Sequence, residues 1–221
     1  KDLIRRLQPD CFDDIVALRP TAAELQRLAA KLRRARVQAV AICFLHSYRN
    51  AANERTVAAA LNRALKLDGV YVCSSHEISP EFREYERSST TFVNAYVGPL
   101  IESYLGELAR ARGFRIAIMQ SNGGFLSARD AAKHAVRTVL SGPAGGVVGA
   151  LETARLSGYR RVLGFDMGGT STDVSLADGV PRETSESIVD GLPIRVPMLD
   201  IHTVGAGGGS IARVDAGGLL R

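Results

Sequence analysis

Tryptophan is absent from the 221 residues, aromatic residues make up only 6%, and there are three cysteines. The odd set Cys11, Cys43 and Cys73, each among apolar or small neighbours, excludes a complete disulfide framework and leads us to expect a reducing, cytoplasmic setting. No apolar run approaches the roughly 18 to 20 residues a spanning helix needs, and the polar start Lys1-Asp2 is followed by no signal-type hydrophobic segment, so no membrane association is expected. Charge of one sign is scarce too: 28 basic against 23 acidic residues leave a net +5. The densest basic cluster, Arg27, Lys31, Arg33, Arg34 and Arg36, falls on one expected helix without interleaved aromatics, which reads as a solvated helix face and not as a nucleic-acid surface. What remains, 46% hydrophobic and 23% charged residues, is ordinary globular usage with enough apolar material for a buried core. The abrupt start, and an end at Gly217–Arg221 that reads as the second strand of a hairpin, suggest an excerpt from a longer polypeptide.

Strands and helices alternate. Thr21-Ala-Ala-Glu24 is a capping box, and Leu25, Leu28 and Leu32 form the apolar stripe of a helix expected to reach about Arg36. Continuous apolar runs at 37–45 and 70–73 are expected as buried parallel strands, separated by a helix from about Asn53 to Lys66. Ser79-Pro80-Glu81 is expected to open a helix that Gly98-Pro99 interrupts, with a further helix stopping at Gly113 and a strand at 114–119. Ser127-Ala-Arg-Asp130 caps a short helix, Val136 to Leu140 is expected to be extended, and Ser141-Gly-Pro143 should start another helix with Ser141 as N-cap. The later, strand-rich part points to hairpins in a mixed sheet, and the whole to an α/β chain with flanking helices.

More than half of the 22 glycines lie between Ser141 and Gly209, where loops need positive φ or close approach to a ligand. The sharpest pattern is Phe165-Asp166-Met-Gly168-Gly169-Thr170-Ser171-Thr172-Asp173. An apolar strand delivers Asp166 to its end, a Gly-Gly turn carrying hydroxyls follows, and alternation resumes. Backbone N–H groups at such a turn form an anion nest, while Asp166 can hold Mg²⁺ or its waters or orient a nucleophile. A plain hairpin turn does not account for two acids bracketing Gly-Gly-Thr-Ser-Thr.

This hairpin resembles the phosphate-binding hairpin of the sugar kinase, heat-shock protein and actin superfamily. Four further blocks narrow the match: Ile78–Arg87 with Asn94-Ala-Tyr96, Met119–Gly124, Ser141–Ala150, and His202–Ala212. Together they resemble the A-type subunit of the hydantoinase/oxoprolinase family over roughly residues 76 to 221, with residues 1–75 similar to the end of the family's preceding domain. The resemblance implies an actin-like (ribonuclease H-like) ATPase fold, ATP and Mg²⁺ as cofactors, and phosphoryl transfer to a carbonyl or enolate oxygen of a cyclic amide such as a hydantoin or 5-oxoproline, or of a ketone in the related carboxylases. It also implies a B-type partner subunit, fused or separate, and an oligomer. Under it, Asp166 and Asp173 are the catalytic candidates, with Asp166 also the metal ligand, and Gly168, Gly169, Thr170, Ser171 and Thr172 hold terminal phosphates. The family's first phosphate hairpin and its adenosine-contacting Gly-Gly segment lie outside these residues, so the excerpt alone is expected to carry half a nucleotide site and to be inactive.

Other motifs stay open between roles. Gly142 and Gly145 serve phosphate contact or close packing equally well. Gly205–Ser210 has dinucleotide-fingerprint spacing, but no helix is expected after it, so it reads as a Gly-rich connection with Thr203 and Ser210 as polar contacts. Asp200 and His202 share a strand face, as a metal or acid/base pair or as a carboxylate orienting an imidazole. Cys43-x-x-His46 and Cys73-x-x-His76 have zinc-like spacing, but three residues apart on a strand point to opposite faces. Glu81, Arg83, Ser121, Asn122, Gly123 and His202 are the candidate substrate contacts. The alternative class is an actin-like ATP-binding module without amide chemistry.

Overall fold

The computed structural model describes residues 19–108, 110, 116–189 and 191–220. Cys11, the Lys1-Asp2 start, the helix end at Gly113 and the first two residues of the strand expected at 114–119 lie outside them. The chain divides into two compact units, one made of Lys1–Ile118, Leu126–Val136 and Glu186–Val196, the other of Met119–Phe125, Arg137–Ser185 and Pro197–Arg221.

In the first unit, α1 (Ala22–Arg34) begins at the expected capping box: Thr21 Oγ1 accepts from the Glu24 N–H and the Thr21 N–H donates to the Glu24 carboxylate at 2.8 Å. β1 (Ala39–Ile42) and β2 (Tyr71–Ser74) pair in parallel, connected through α2 (Ala52–Leu65) and a 3₁₀ turn that Gly69 ends at φ 65°. Ala29, Ile42, Val57, Leu61 and Leu65 form a buried cluster between these helices and the strands; the two apolar runs pair in parallel as expected, but while β2 is largely buried, β1 is half-buried except at Ile42.

Two expectations fail here for tertiary reasons. After α3 (Ser75–Ile78), Ser79 is a C-cap and not an N-cap, and α4 runs from Glu84 to Leu108. Arg87, 1% exposed, donates to the carbonyls of Glu81 at 3.0 Å and Phe44 at 2.7 Å, while Arg195 pairs with the Glu81 carboxylate at 3.0 Å. These arginines hold 79–83 out of the helix, and Arg83 takes a left-handed φ of 73°. Nor does Gly98-Pro99 break α4. Pro99 forgoes one helical N–H, but Gly98 lets the helix lie against Tyr71, where an added Cβ would sit 2.5 Å from the ring. Asn94 on the same helix donates to Tyr71 Oη and accepts from the Val136 N–H at 3.0 Å. Burial pushes the Tyr71 phenol well above its usual range.

At the C-terminal edge of β1 and β2 sits Glu54, fully buried in the first turn of α2. It accepts from the Phe44 N–H (2.8 Å), Ser75 Oγ (2.6 Å), the His76 N–H (2.9 Å) and His76 Nδ1 (2.8 Å). Burial alone would raise its carboxyl, but these hydrogen bonds outweigh it and hold Glu54 below the ordinary carboxylate range. Cys73 donates to the Thr91 carbonyl, and burial pushes its thiol up to about 11. Among the described residues no group of three or more His, Cys, Asp or Glu could hold a metal.

The chain continues through β3 (Ala117–Met119), β4 (Phe125–Ser127), α5 (Ala128–Lys133), capped as expected by Ser127, and a 3₁₀ turn at Ala135–Thr138 where an extended segment was expected. The second unit is built on α6 (Ser141–Leu156), β5 (Arg161–Met167) and β6 (Thr172–Asp178), followed by β7 (Glu183–Thr184). β8 (Ser187–Val189) and β9 (Leu192–Ile194) form a hairpin in the first unit, and β10 (Met198–Leu199) and β11 (Ile201–Val204) return to the second. The sheet β11-β6-β5 is antiparallel throughout, and α6 packs on it. Among the described residues no helix is long and apolar enough to cross a membrane.

Candidate functional site

The antiparallel register sets Asp166 of β5 directly opposite Asp173 of β6. The two carboxylates project on the same face, toward α6, because both alternate with Val162, Gly164, Ser175 and Ala177 of that face. A cleft of about 190 Å³ lies there, lined by Pro143, Gly146 and Val147 of α6 with Gly164, Asp166, Asp173 and Ser175 of the sheet. Thr203 Oγ1 donates to Asp173 at 2.6 Å, and no lysine or arginine pairs with either carboxylate among the described residues. Like charges directly opposite on a sheet are destabilising. A pair left without a basic partner therefore suits a hydrated divalent cation, and Mg²⁺ takes only one or two carboxylates with waters and phosphate oxygens completing its shell.

Above the aspartates the hairpin tip closes with the Gly168 N–H donating to the Ser171 carbonyl at 2.9 Å, while the N–H groups of Gly169, Thr170 and Ser171 take no partner among the described residues. These are the donors an anion nest requires. The start of α6 contributes a helix N-terminus to the same cleft, although its cap differs from the expected one. Leu140 is the N-cap, in a left-handed conformation at φ 59° that costs about 1–2 kcal/mol for a non-glycine residue, and Ser141 and Pro143 are the first and third helical residues.

Of the two glycines singled out on this helix, Gly142 faces open space and Gly145 faces Met119 at 3.7 Å, whereas Gly146 faces Asp166, whose Oδ2 would lie 3.7 Å from an added Cβ. The spacing 143, 146, 147, 150 is the helical period that marks this face, and it was there to be read.

The remaining candidates scatter. His202 is exposed and pairs with Val174, which puts it on the opposite face of the sheet from Asp166 and Asp173, among Leu163, Phe165 and Leu176. Ser121 is buried, with its hydroxyl donating to the Arg137 carbonyl at 2.7 Å and its own carbonyl accepting from the Leu199 N–H. Asn122 Oδ1 accepts from the Gly124 N–H at 3.0 Å, and Gly123 sits at φ 80°. Glu81 and Arg83 belong to the first unit, where Glu81 pairs with Arg195 and Arg83 reaches Glu186 at 3.1 Å.

Comparison with known proteins meets this geometry. Residues 87–221 match the profile of the hydantoinase/oxoprolinase family, and residues 13–65 that of the hydantoinase/oxoprolinase N-terminal region. The chain belongs to the hydantoinase/oxoprolinase family. It is 41% identical over 198 residues to the caprolactamase subunit alpha of Pseudomonas jessenii, covering 86% of this chain and 28% of that protein. It is 37% identical over 203 residues to the 5-oxoprolinase of Saccharomyces cerevisiae, covering 89% of this chain and 15% of that protein. The nucleotide-free structure of acetone carboxylase, an enzyme of ATP-dependent acetone carboxylation, superposes with a TM-score of 0.72 at 30% identity, covering 90% of this chain and 29% of that one. The chain thus spans about a third or less of the length of the family members it matches. Its α/β architecture, with small sheets that are each parallel or antiparallel, is the one those ATP-dependent family members share over this region.

Proposed function

We propose that the chain is part of an ATP-dependent cyclic-amide hydrolase with an actin-like ATPase fold, and that the cleft between α6 and the β5–β6 hairpin receives the terminal phosphates. The observation that carries this reading is the pairing of two unneutralised carboxylates, Asp166 and Asp173, beneath a tip whose Gly169, Thr170 and Ser171 N–H groups take no partner among the described residues. The names of the relatives caprolactamase and 5-oxoprolinase point to cyclic amides as the substrate class. Gly168 to Thr172 hold the phosphates through backbone N–H groups and hydroxyls, with Gly142 and Gly145 in the first turns of α6 contributing the helix end. Asp166 holds Mg²⁺ or its waters, and Asp173, oriented by Thr203, supports it. Bound there, Mg²⁺ supplies positive charge to the phosphate oxygens. The amide oxygen attacks the terminal phosphorus of ATP as the bond to ADP breaks; water then adds to the activated carbon, the C–N bond opens as the nitrogen takes a proton and leaves an acyl phosphate, and a second water hydrolyses that to carboxylate and phosphate. Residues 1–75 form the tail of one domain and 76–221 part of the ATPase domain, and a B-type subunit completes the enzyme.

The deciding assay follows ATP loss by the full-length protein with its B-type partner over a panel of cyclic amides and ketones. Ring opening matched by ATP consumption is expected; ketone carboxylation instead would move the chain to the acetone carboxylase type, and ATP loss indifferent to every substrate would leave an actin-like module without amide chemistry. Glu81, Arg83, Ser121, Asn122, Gly123 and His202 are the proposed substrate contacts. Asn122→Ala and Glu81→Ala should each lower substrate-stimulated ATP hydrolysis several-fold, and an unchanged rate removes that residue from the set. Residues 1–221 alone should bind ATP more weakly than micromolar, since that affinity corresponds to about 8 kcal/mol and one nest of N–H groups in water supplies less; calorimetry measures it.

A further inference from the structure

The glycine-rich stretch after β11 does not simply run past the hairpin. The Gly208 N–H donates to the Gly168 carbonyl and the Gly209 N–H to the Gly169 carbonyl, both at 2.9 Å, and Thr172 Oγ1 donates to the Ala206 carbonyl at 2.6 Å. The stretch is itself braced, the Gly207 N–H donating to Ser210 Oγ at 3.0 Å and the Ser210 N–H to the Gly207 carbonyl at 2.9 Å. In a planar trans peptide the carbonyl of one residue and the N–H of the next point in opposite directions. Pinning the carbonyls of Gly168 and Gly169 against 206–210 therefore turns the N–H groups of Gly169 and Thr170 the other way, together and away from the loop.

We infer that the loop 206–210 is the element that aims this anion nest, and that Gly207 is its positioning residue, setting the N–H groups of Gly169 and Thr170 for the terminal phosphates of a nucleotide. The inference rests on the nucleotide reading of the hairpin. Gly207 is buried, and an added Cβ would lie 2.6 Å from the Gly168 oxygen and 2.8 Å from Gly169 C and Ser171 N, all backbone atoms that cannot swing aside. Only glycine lets the loop come close enough to hold both carbonyls. At Gly209 the nearest atom to an added Cβ is the Gly169 oxygen at 3.0 Å, and at Gly205, just outside the loop, nothing lies within 4 Å. None of these three has positive φ, so alanine at each tests contact alone.

The test uses the full-length protein and measures ATP and adenosine binding by calorimetry beside the melting temperature. Gly207→Ala should weaken ATP at least about tenfold, Gly209→Ala less, and Gly205→Ala not at all, while adenosine affinity stays constant across the series because the nest touches phosphate only. If Gly207→Ala does not fold, Ser210→Ala carries the test: it removes the hydroxyl that the Gly207 N–H donates to, loosens the loop without touching the hairpin, and should weaken ATP several-fold, again without changing adenosine. Unchanged ATP affinity in the folded variant, or equal losses for ATP and adenosine, would overturn the inference while leaving the nucleotide reading intact. A wild-type protein that binds no ATP would overturn that reading and the inference with it.

Discussion

Asp166→Asn in the full-length protein is expected to lower kcat for ATP hydrolysis by at least about a hundredfold, roughly 2.7 kcal/mol of barrier, while the melting temperature stays where it is or rises slightly. Asparagine keeps the shape of the side chain and removes the charge. The Asp166 carboxylate has no hydrogen-bond or ion-pair partner among the described residues, so the substitution breaks nothing that holds the hairpin. It also relieves the repulsion with Asp173 opposite, which favours the folded state. The charge is lost where the cation would be organised, so turnover falls and substrate affinity changes less. The measurement is kcat beside Tm. Near-normal turnover would make Asp166 a scaffold residue, and lost turnover with a collapsed melting curve would refute the claim that nothing structural depends on it.

Glu54→Ala should destabilise the protein by about 3–5 kcal/mol, because it leaves the N–H groups of Phe44 and His76, the Ser75 hydroxyl and His76 Nδ1 buried without their acceptor. For a chain of this size that is a drop in Tm of about 10 °C. A drop under about 3 °C would mean that water replaces the carboxylate. Glu54 also gives stability a pH dependence of known sign. Its folded pKa is depressed, so its contribution is present above the unfolded value of about 4.3 and is lost as pH falls through the folded value. Urea denaturation of wild type should therefore show an acid slope below about pH 4.3 that is reduced in Glu54→Gln, and parallel profiles would contradict it.

Much of the frame was legible because its signals are local. The Thr21–Glu24 box, the Ser127 cap and the apolar runs of β1 and β2 each depend on a few neighbouring residues, and each stands where expected. Where the sequence misled, distant partners had intervened. Ser79-Pro80-Glu81 has the composition of a helix start, yet Arg87 and Arg195 draw the segment aside, and Arg195 is more than a hundred residues away in the chain. Gly98-Pro99 has the composition of a break, yet the ring of Tyr71 and the bonds of Asn94 keep α4 whole. The Glu54 network gave no signal at all, since a glutamate in the first turn of a helix looks like any surface residue favoured by the helix end.

The sequence by itself determined the family and the hairpin that carries Asp166, Gly168–Thr172 and Asp173, because strand alternation and a Gly-Gly turn specify such a hairpin within a dozen residues. Only the tertiary structure decided which groups stand near it. Register places Asp173 opposite Asp166 and sends His202 to the other face; the packing of α6 on the sheet selects which of its legible helical faces, the one with Gly146, meets the carboxylates; and the return of 206–210 onto the tip brings three glycines to backbone carbonyls some forty residues earlier. A two-residue period and a local turn are encoded in adjacent residues, whereas the meeting of separate elements depends on how the whole unit packs.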